Sequence, residues 1–295
     1  MLAVLGIAAV LQGSPYNLPI GRPGTTVAES GRITSLPFAQ PVTPDDVAKA
    51  ADGKRFVFLG EQHATPAHQQ MQATVIEALV RRGRRVVVGL EMLQRPKQAA
   101  LDDFASGRAD EVRFREEADW KGQWGFDFAF YRPVFDVARK HKLAMVALNV
   151  PRDWVRAVGR GGLSALPAEA KTALPSDIDP KVPEHKLVFE ALMGGHPVSG
   201  QQGENMLAAQ TIWDVGMADT AAKWLEAKRA DRRTVFVILA GSGHVMFGQG
   251  INLRLALLKA GDGITLVMAE STEPLTVANG LGDFVYVSPS PRKGA

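Results

Sequence analysis

RFVFLG (Arg55–Gly60), running directly into Glu61-Gln62-His63, is a short, apolar, β-prone run closed by a glycine. Those features predict a buried strand that delivers polar residues at its carboxyl end. The segment after it, TPAHQQMQATVIEALVRRG, has Thr65 as candidate N-cap and Pro66 at the first helical position. Its apolar residues Met71, Val75, Ala78 and Leu79 recur at helical spacing until Gly83 stops the helix.

The same unit repeats outward from there. RRVVVGLE (Arg84–Glu91) reads as a second strand, and PKQAALDDFASG as a helix ended by Gly107. AFYRPVFDVARKHK is a helix before a third strand, KLAMVALN (Lys142–Asn149). MADTAAKWLEAKRA precedes a fourth, RTVFVILAGSGH (Arg233–His244), then ITLVMAES follows a further helix and FVYVSPS closes the chain as an edge strand. Strands alternating with helices, and apolar on both faces, predict an α/β fold with a mostly parallel sheet covered by helices. The Gly- and Pro-rich stretch 152–203 breaks the rhythm and reads as an inserted helical cap over one end of the sheet. Residues 1–44 read as an apolar start and an irregular leader, and 45–295 as the folded domain.

Composition narrows the chemistry. Of 295 residues 46% are hydrophobic and 22% charged, as in ordinary globular proteins, and there is no cysteine. Disulfides, thiolate metal sites and a cysteine nucleophile are thereby excluded. A net charge of +3 from 34 basic and 31 acidic residues is a near balance, which argues against nucleic acid as a partner. The basic runs Arg81, Arg82, Arg84, Arg85 and Lys228, Arg229, Arg232, Arg233 fall where helices end, a position that suits cations. The apolar run Leu2–Leu11 is far shorter than the roughly 20 residues a membrane crossing takes, so no transmembrane helix is expected. Its length suits the core of a secretory signal, although no basic segment precedes it, and the expected location is exported, in the periplasm or cell envelope. Leu11-Gln12-Gly13-Ser14 resembles a lipoprotein cleavage box with Ser14 where the lipidated cysteine would stand, so no lipid anchor is expected.

Polar residues gather where the strands end: Glu61 and His63 after the first, Glu91 and then Arg95 after the second, Asn149 after the third, and His244 in Gly-Ser-Gly-His after the fourth. Singly, each has a structural explanation as a cap, a turn residue or an ion pair. Together they predict one site, because ligands of open parallel sheets bind in the crevice outside the carboxyl ends of the strands. Two imidazoles and one or two carboxylates could hold a divalent ion and leave an acid to activate water. His63 and His68 stand five apart, which is not the helical zinc spacing, and Gly-Ser-Gly-His is not a nucleophile elbow.

In this order the motifs closely resemble the ChaN family: G-E-Q-H with His68, G-L-E-M-L-Q-R with Gln98, F-Y-R-P, A-L-N-V-P-R, and A-G-S-G-H-V with G-Q-G-I and Arg254. That family comprises bacterial haem-binding proteins linked to iron uptake, within the TIKI/TraB and erythromycin-esterase-like superfamily. The resemblance runs from about residue 45 to 270, and its G-x-x-H motifs fall on Gly60–His63 and Gly241–His244. It implies a three-layer α/β/α fold, haem bound through a tyrosine and a histidine, and homodimers enclosing stacked haems. Among the three tyrosines, Tyr131 in the aromatic stretch Trp120–Tyr131 is the expected ligand, with Arg132 meeting a propionate. His63, His244, Asn149 and His196 complete the expected haem site. The superfamily's other branch implies a metal-dependent hydrolase instead. There His63, Glu91 and His244 would hold the metal, Glu61 would be the general base and Arg95 would stabilise a developing anion.

Overall fold

The computed structural model describes residues 14–290. The Leu2–Leu11 run and most of the cleavage-like box lie outside them. In chain order the elements are β1 (Thr25–Ala28), β2 (Arg32–Ser35), β3 (Gln40–Val42), α1 (Pro44–Ala50), β4 (Phe56–Glu61), α2 (Pro66–Arg81) and β5 (Arg85–Gln94). They continue with α3 (Gln98–Ala105), α4 (Glu111–Glu117), α5 (Trp120–Gln123), α6 (Phe128–Lys140), β6 (Ala144–Asn149), α7 (Arg152–Gly161), α8 (Ala168–Ala173) and α9 (Pro183–Leu192). The rest are α10 (Gly200–Ala227), β7 (Thr234–Gly241), α11 (Ile251–Leu257), β8 (Gly263–Glu270), β9 (Leu275–Ala278) and β10 (Phe284–Ser288).

Six strands form a wholly parallel sheet in the order β10-β8-β4-β7-β5-β6. Period-two alternation divides each strand between two apolar cores. Val57, Leu59, Val86, Val88, Leu90, Val237 and Leu239 face α2, α3 and α6. Phe56, Phe58, Val87, Val146, Leu148, Phe236 and Ile238 face α10 and α11. The molecule is therefore the three-layer α/β/α fold expected. Burial on both faces explains why the strands read as continuous apolar runs.

The helix read at 217–230 begins much earlier, at Gly200. Asn205, Leu207, Ala208, Ile212, Val215 and Met217 are all buried because α10 packs on the sheet, on α7 and on α11 at once. An element covered on several sides shows no single apolar stripe, and its early glycines read as breakers. Within 152–203, α7 and α8 pack on α10 in a separate cluster around Trp154, Val158, Leu166 and Leu174. The leader holds short strands: β1 pairs with β9, and β2 with β3.

Members of the basic runs are spent on the fold. Arg84 donates to the carbonyls of Ala51 and Lys54, Arg233 to that of Gly83, and Arg82 pairs with Asp52. Among the described residues no helix is long and apolar enough to cross a membrane.

The outer edge of β6 is closed by one side chain. The Gln98 amide donates to the Met145 carbonyl at 2.9 Å and accepts from the Ala147 N–H at 2.8 Å, copying a neighbouring strand. Gln98→Ala is expected to lower stability by about 1–2 kcal/mol for the two bonds lost, read as a lower urea midpoint at unchanged slope.

Candidate functional site

Strand order brings the site together. β7 lies between β4 and β5, with Glu61 level with Gly241 and Leu90 level with Leu239. The ends of the first, second and fourth predicted strands are thus adjacent, where the order of the sheet reverses. After Leu90 the register of β5 against β6 slips, so that Gln94 pairs with Asn149. The irregularity brings the Glu91 carboxylate over β7, where its Oε2 accepts the Gly241 N–H at 2.6 Å.

Two histidine–carboxylate assemblies result. In the first, His63 Nδ1 lies 3.0 Å from Glu61 Oε1, and about a third of the imidazole is exposed. Glu61 is buried and accepts further bonds from the Tyr131 hydroxyl at 3.0 Å, the Gln69 amide at 2.8 Å and the Gln72 amide at 2.9 Å. His63 runs into a turn in which Ala64 takes a left-handed conformation, φ 54°, while its N–H donates to the Tyr131 oxygen at 3.1 Å. Such strain persists only where the surroundings over-determine it. The imidazole edge rests on Trp124 at 4.6 Å between ring centroids, with Phe126 at 6.0 Å. Burial works against a charge on His63, but the Glu61 and Glu91 carboxylates outweigh it and raise the group above the usual imidazole range.

The second assembly is buried. His244 Nδ1 meets Asp214 Oδ1 at 2.6 Å, and its Nε2 faces Glu91 Oε1 at 3.4 Å. Burial opposes both charges, yet the pair sustains them: the two carboxylates hold His244 up to about 10, and His244 above all brings Glu91 down to about 2. His185, from α9, brings its Nδ1 to 3.7 Å of Asp214 Oδ2, and burial pushes its imidazole below the ordinary range. The two assemblies meet at Gly241. A Cβ there would stand 2.9 Å from His63 Cε1, 3.1 Å from its Nε2 and 3.7 Å from Glu91 Oε2, so the missing side chain is what lets the His63 ring pack directly on the Gly241 backbone beside Glu91. Leu192 of α9 reaches over the neighbouring Gly243.

Most of the expected site residues are engaged within the fold. Glu61, expected as general base, has both oxygens engaged, Oε1 with His63 and Tyr131 and Oε2 with Gln69 and Gln72. Arg95, expected at a developing anion, is bound to Thr220 Oγ1 at 2.6 Å, the Gly216 carbonyl at 2.7 Å and Asp219 at 3.1 Å, and ties the end of β5 to α10. Asn149 straps the turn, donating to the Glu91 carbonyl at 3.0 Å and accepting from the Val150 N–H. Tyr131, expected as iron ligand, is fully buried, its hydroxyl held by Glu61 and Ala64. Arg132 makes a two-pronged exposed pair with Glu111, at 2.9 and 2.8 Å, and is spent there. His196 lies exposed on the connection between α9 and α10. Among the described residues no group of three or more His, Cys, Asp or Glu could hold a metal ion. His63, Glu91 and His244 do not form one, because Glu91 and His244 spend their lone pairs and protons on each other, on Gly241 and on Asp214.

Asp214, Gln69, Gln72 and His185 went unread in the sequence. The available signal was polar residues inside apolar helical stretches, which spacing alone does not separate from a solvent-facing side. His185 is 2% exposed.

Residues 47–255 match the family described as haem-binding uptake, Tiki superfamily, ChaN. None of the curated proteins matches the sequence. Among solved structures, ChaN of Campylobacter jejuni, described with cofacial haem binding, superposes with a TM-score of 0.64 at 18% identity, over 86% of this chain and 95% of that one. A mutant erythromycin esterase, EreC, in its open conformation superposes with a TM-score of 0.52 at 12% identity, over 92% of this chain and 99% of that one. At these identities the likeness is one of fold.

Proposed function

Because the chain belongs to the ChaN family of haem-binding uptake proteins in the Tiki superfamily, we propose that it binds haem in the cleft at the strand ends and handles haem or iron outside the cytoplasm. The observation that carries this reading is a partly exposed imidazole, His63, at the strand ends beside Trp124 and Phe126. A flat, apolar macrocycle calls for that combination of a nitrogen donor and aromatic walls. Phe126 and Leu192 are 40% and 47% exposed, so the rim of the cleft is apolar as well. A surface groove of about 570 Å³ also borders Phe126, but its lining (Arg115, Lys121, Phe128 and neighbours) holds no imidazole or phenol to ligate iron. When bound, haem would supply an iron centre able to take a ligand; the chain's own residues would orient that ligand and shield one face of the ring from water.

Titration with hemin is expected to shift the Soret band with a one-to-one end point. Gly241→Leu, whose side chain would displace the His63 ring packed on that glycine, is expected to weaken binding at least about tenfold, since an overpacked close approach moves whole side chains. Equal affinity in the variant would place the ligand elsewhere. The homodimer and the exported location form part of the same proposal, and sizing the protein with and without hemin tests the former.

One observation favours a second reading, ester hydrolysis: the Glu61–His63 pair has the build of an oriented general base with its imidazole partly exposed. In that case His63 Nε2 would take the proton of an attacking water while Glu61 fixed the ring. An ester screen in which His63→Ala removes all turnover supports it; turnover indifferent to that change counts against it.

A further inference from the structure

Resting on the haem-binding reading above, we infer that α9 is a lid on the strand-end site and that the ligand enters when this helix lifts. The arrangement described leaves a large ligand little room. The Cε1–Nε2 edge of His63 packs on the Gly241 backbone, and two residues on, a Cβ at Gly243 would stand 2.6 Å from Leu192 Cδ1. His63 is tied to Glu61, and His244 to Asp214 and Glu91, so neither imidazole moves aside without breaking a polar pair. Leu192 is different: it is 47% exposed and lies on Gly243 through van der Waals contact alone.

Little holds α9 down. Of its ten residues only His185 and Val188 are buried, whereas Leu187 turns outward. Val188 joins the apolar cluster of Met246 and Phe247. Among the described residues no hydrogen bond joins α9 to the sheet or to α10; the Glu190 carboxylate accepts the Val198 N–H within its own segment. The polar contact with the body is His185 Nδ1 against Asp214 Oδ2 at 3.7 Å, both atoms buried and farther apart than a hydrogen bond. That contact is the latch, set on the same acid that holds His244.

Both ends of the segment are built as pivots. Before α9, the buried Arg254 donates to the Asp179 carbonyl at 2.8 Å, and Pro180 and Pro183 stiffen the link that follows. After it, Gly194, Gly195 and Gly200 take φ of 77°, 78° and 65°, conformations that glycine enters and leaves without steric penalty. A groove of about 400 Å³ separates Val182, Pro183 and Lys186 from Val198, Glu204 and Leu207, so the first turn of α9 can tilt into open space. Segments with so few buried contacts open at the low-stability end of a fold, and active-site lids are drawn from it.

The test is hydrogen exchange read by mass spectrometry, with and without hemin, beside stopped-flow hemin association, for the wild type and His185→Ala. Without hemin, the wild-type amides of 185–193 should exchange at least about tenfold faster than those of Leu207–Met217 in α10, and hemin should slow them by a similar factor. His185→Ala should speed exchange in α9 alone and raise the association rate by the same factor. Amides in α9 as protected as those of α10, or an association rate indifferent to His185→Ala, overturns the lid while leaving haem binding intact. Faster exchange throughout the fold in His185→Ala gives that residue a general structural role and overturns the latch. A wild-type protein that produces no Soret shift instead refutes the haem reading on which the lid stands.

Discussion

Glu91→Ala is expected to cost about 3–5 kcal/mol of folding stability, the usual consequence of deleting one partner of a buried ion pair and leaving the other charge uncompensated. The His244 imidazolium would keep only Asp214, and the Gly241 N–H would lose its acceptor at the turn that ends β7. The loss carries a pH signature. His244 is raised to about 10 in the folded chain, so its contribution is complete below its ordinary value near 6.5 and fades as pH rises toward 10. Glu91 is depressed to about 2, so its contribution is complete above its ordinary value of 4.5 and fades as pH falls toward 2. The stability difference between wild type and variant should therefore be greatest between pH 4.5 and 6.5 and shrink on both sides. His185, depressed in the folded chain, destabilises both proteins on acidification and so drops out of the difference. Chemical denaturation at a series of pH values measures this. A difference under about 1 kcal/mol throughout, the range of an exposed ion pair, would mean that the pair is not buried as described.

Glu61→Ala is expected to be comparably damaging, for a different reason. No charge is stranded; four donors are. The Tyr131 hydroxyl, the Gln69 and Gln72 amides and His63 Nδ1 all lose one acceptor, at about 1–3 kcal/mol for each buried group that finds no other partner. Relaxation makes these terms less than additive, so a total of about 3–5 kcal/mol is expected. Tyr131→Phe removes only one donor and the acceptor of the Ala64 N–H, and should cost about 1–3 kcal/mol. Calorimetry of the two variants reads the difference directly. A Glu61→Ala protein as stable as the wild type would contradict the polar hub under His63.

The sheet was legible because a parallel strand buried on both faces must be apolar throughout, and the runs ending at Gly60, Glu91, Asn149 and Gly241 have no other economical interpretation. The site was half legible for the same reason: chain reversals at strand ends carry polar side chains outward, so Glu61, His63, Glu91 and His244 could be grouped before any coordinates. What escaped lies on helices. Asp214 sits in QTIWDVGMADT, and nothing in that spacing says that the acid faces inward, because α10 is buried on several sides. Tyr131, expected as a ligand from its place in the aromatic stretch, has a spacing with Phe128 and Phe135 that already marked the inner face of α6, whereas Arg132, one residue on, turns outward to Glu111.

Diffraction from crystals loaded with hemin tests the central claim most directly. The account predicts haem held at the strand ends beside His63, Trp124 and Phe126, with Tyr131 still bonded to Glu61. Haem lodged instead in the groove lined by Arg115 and Lys121 would contradict it.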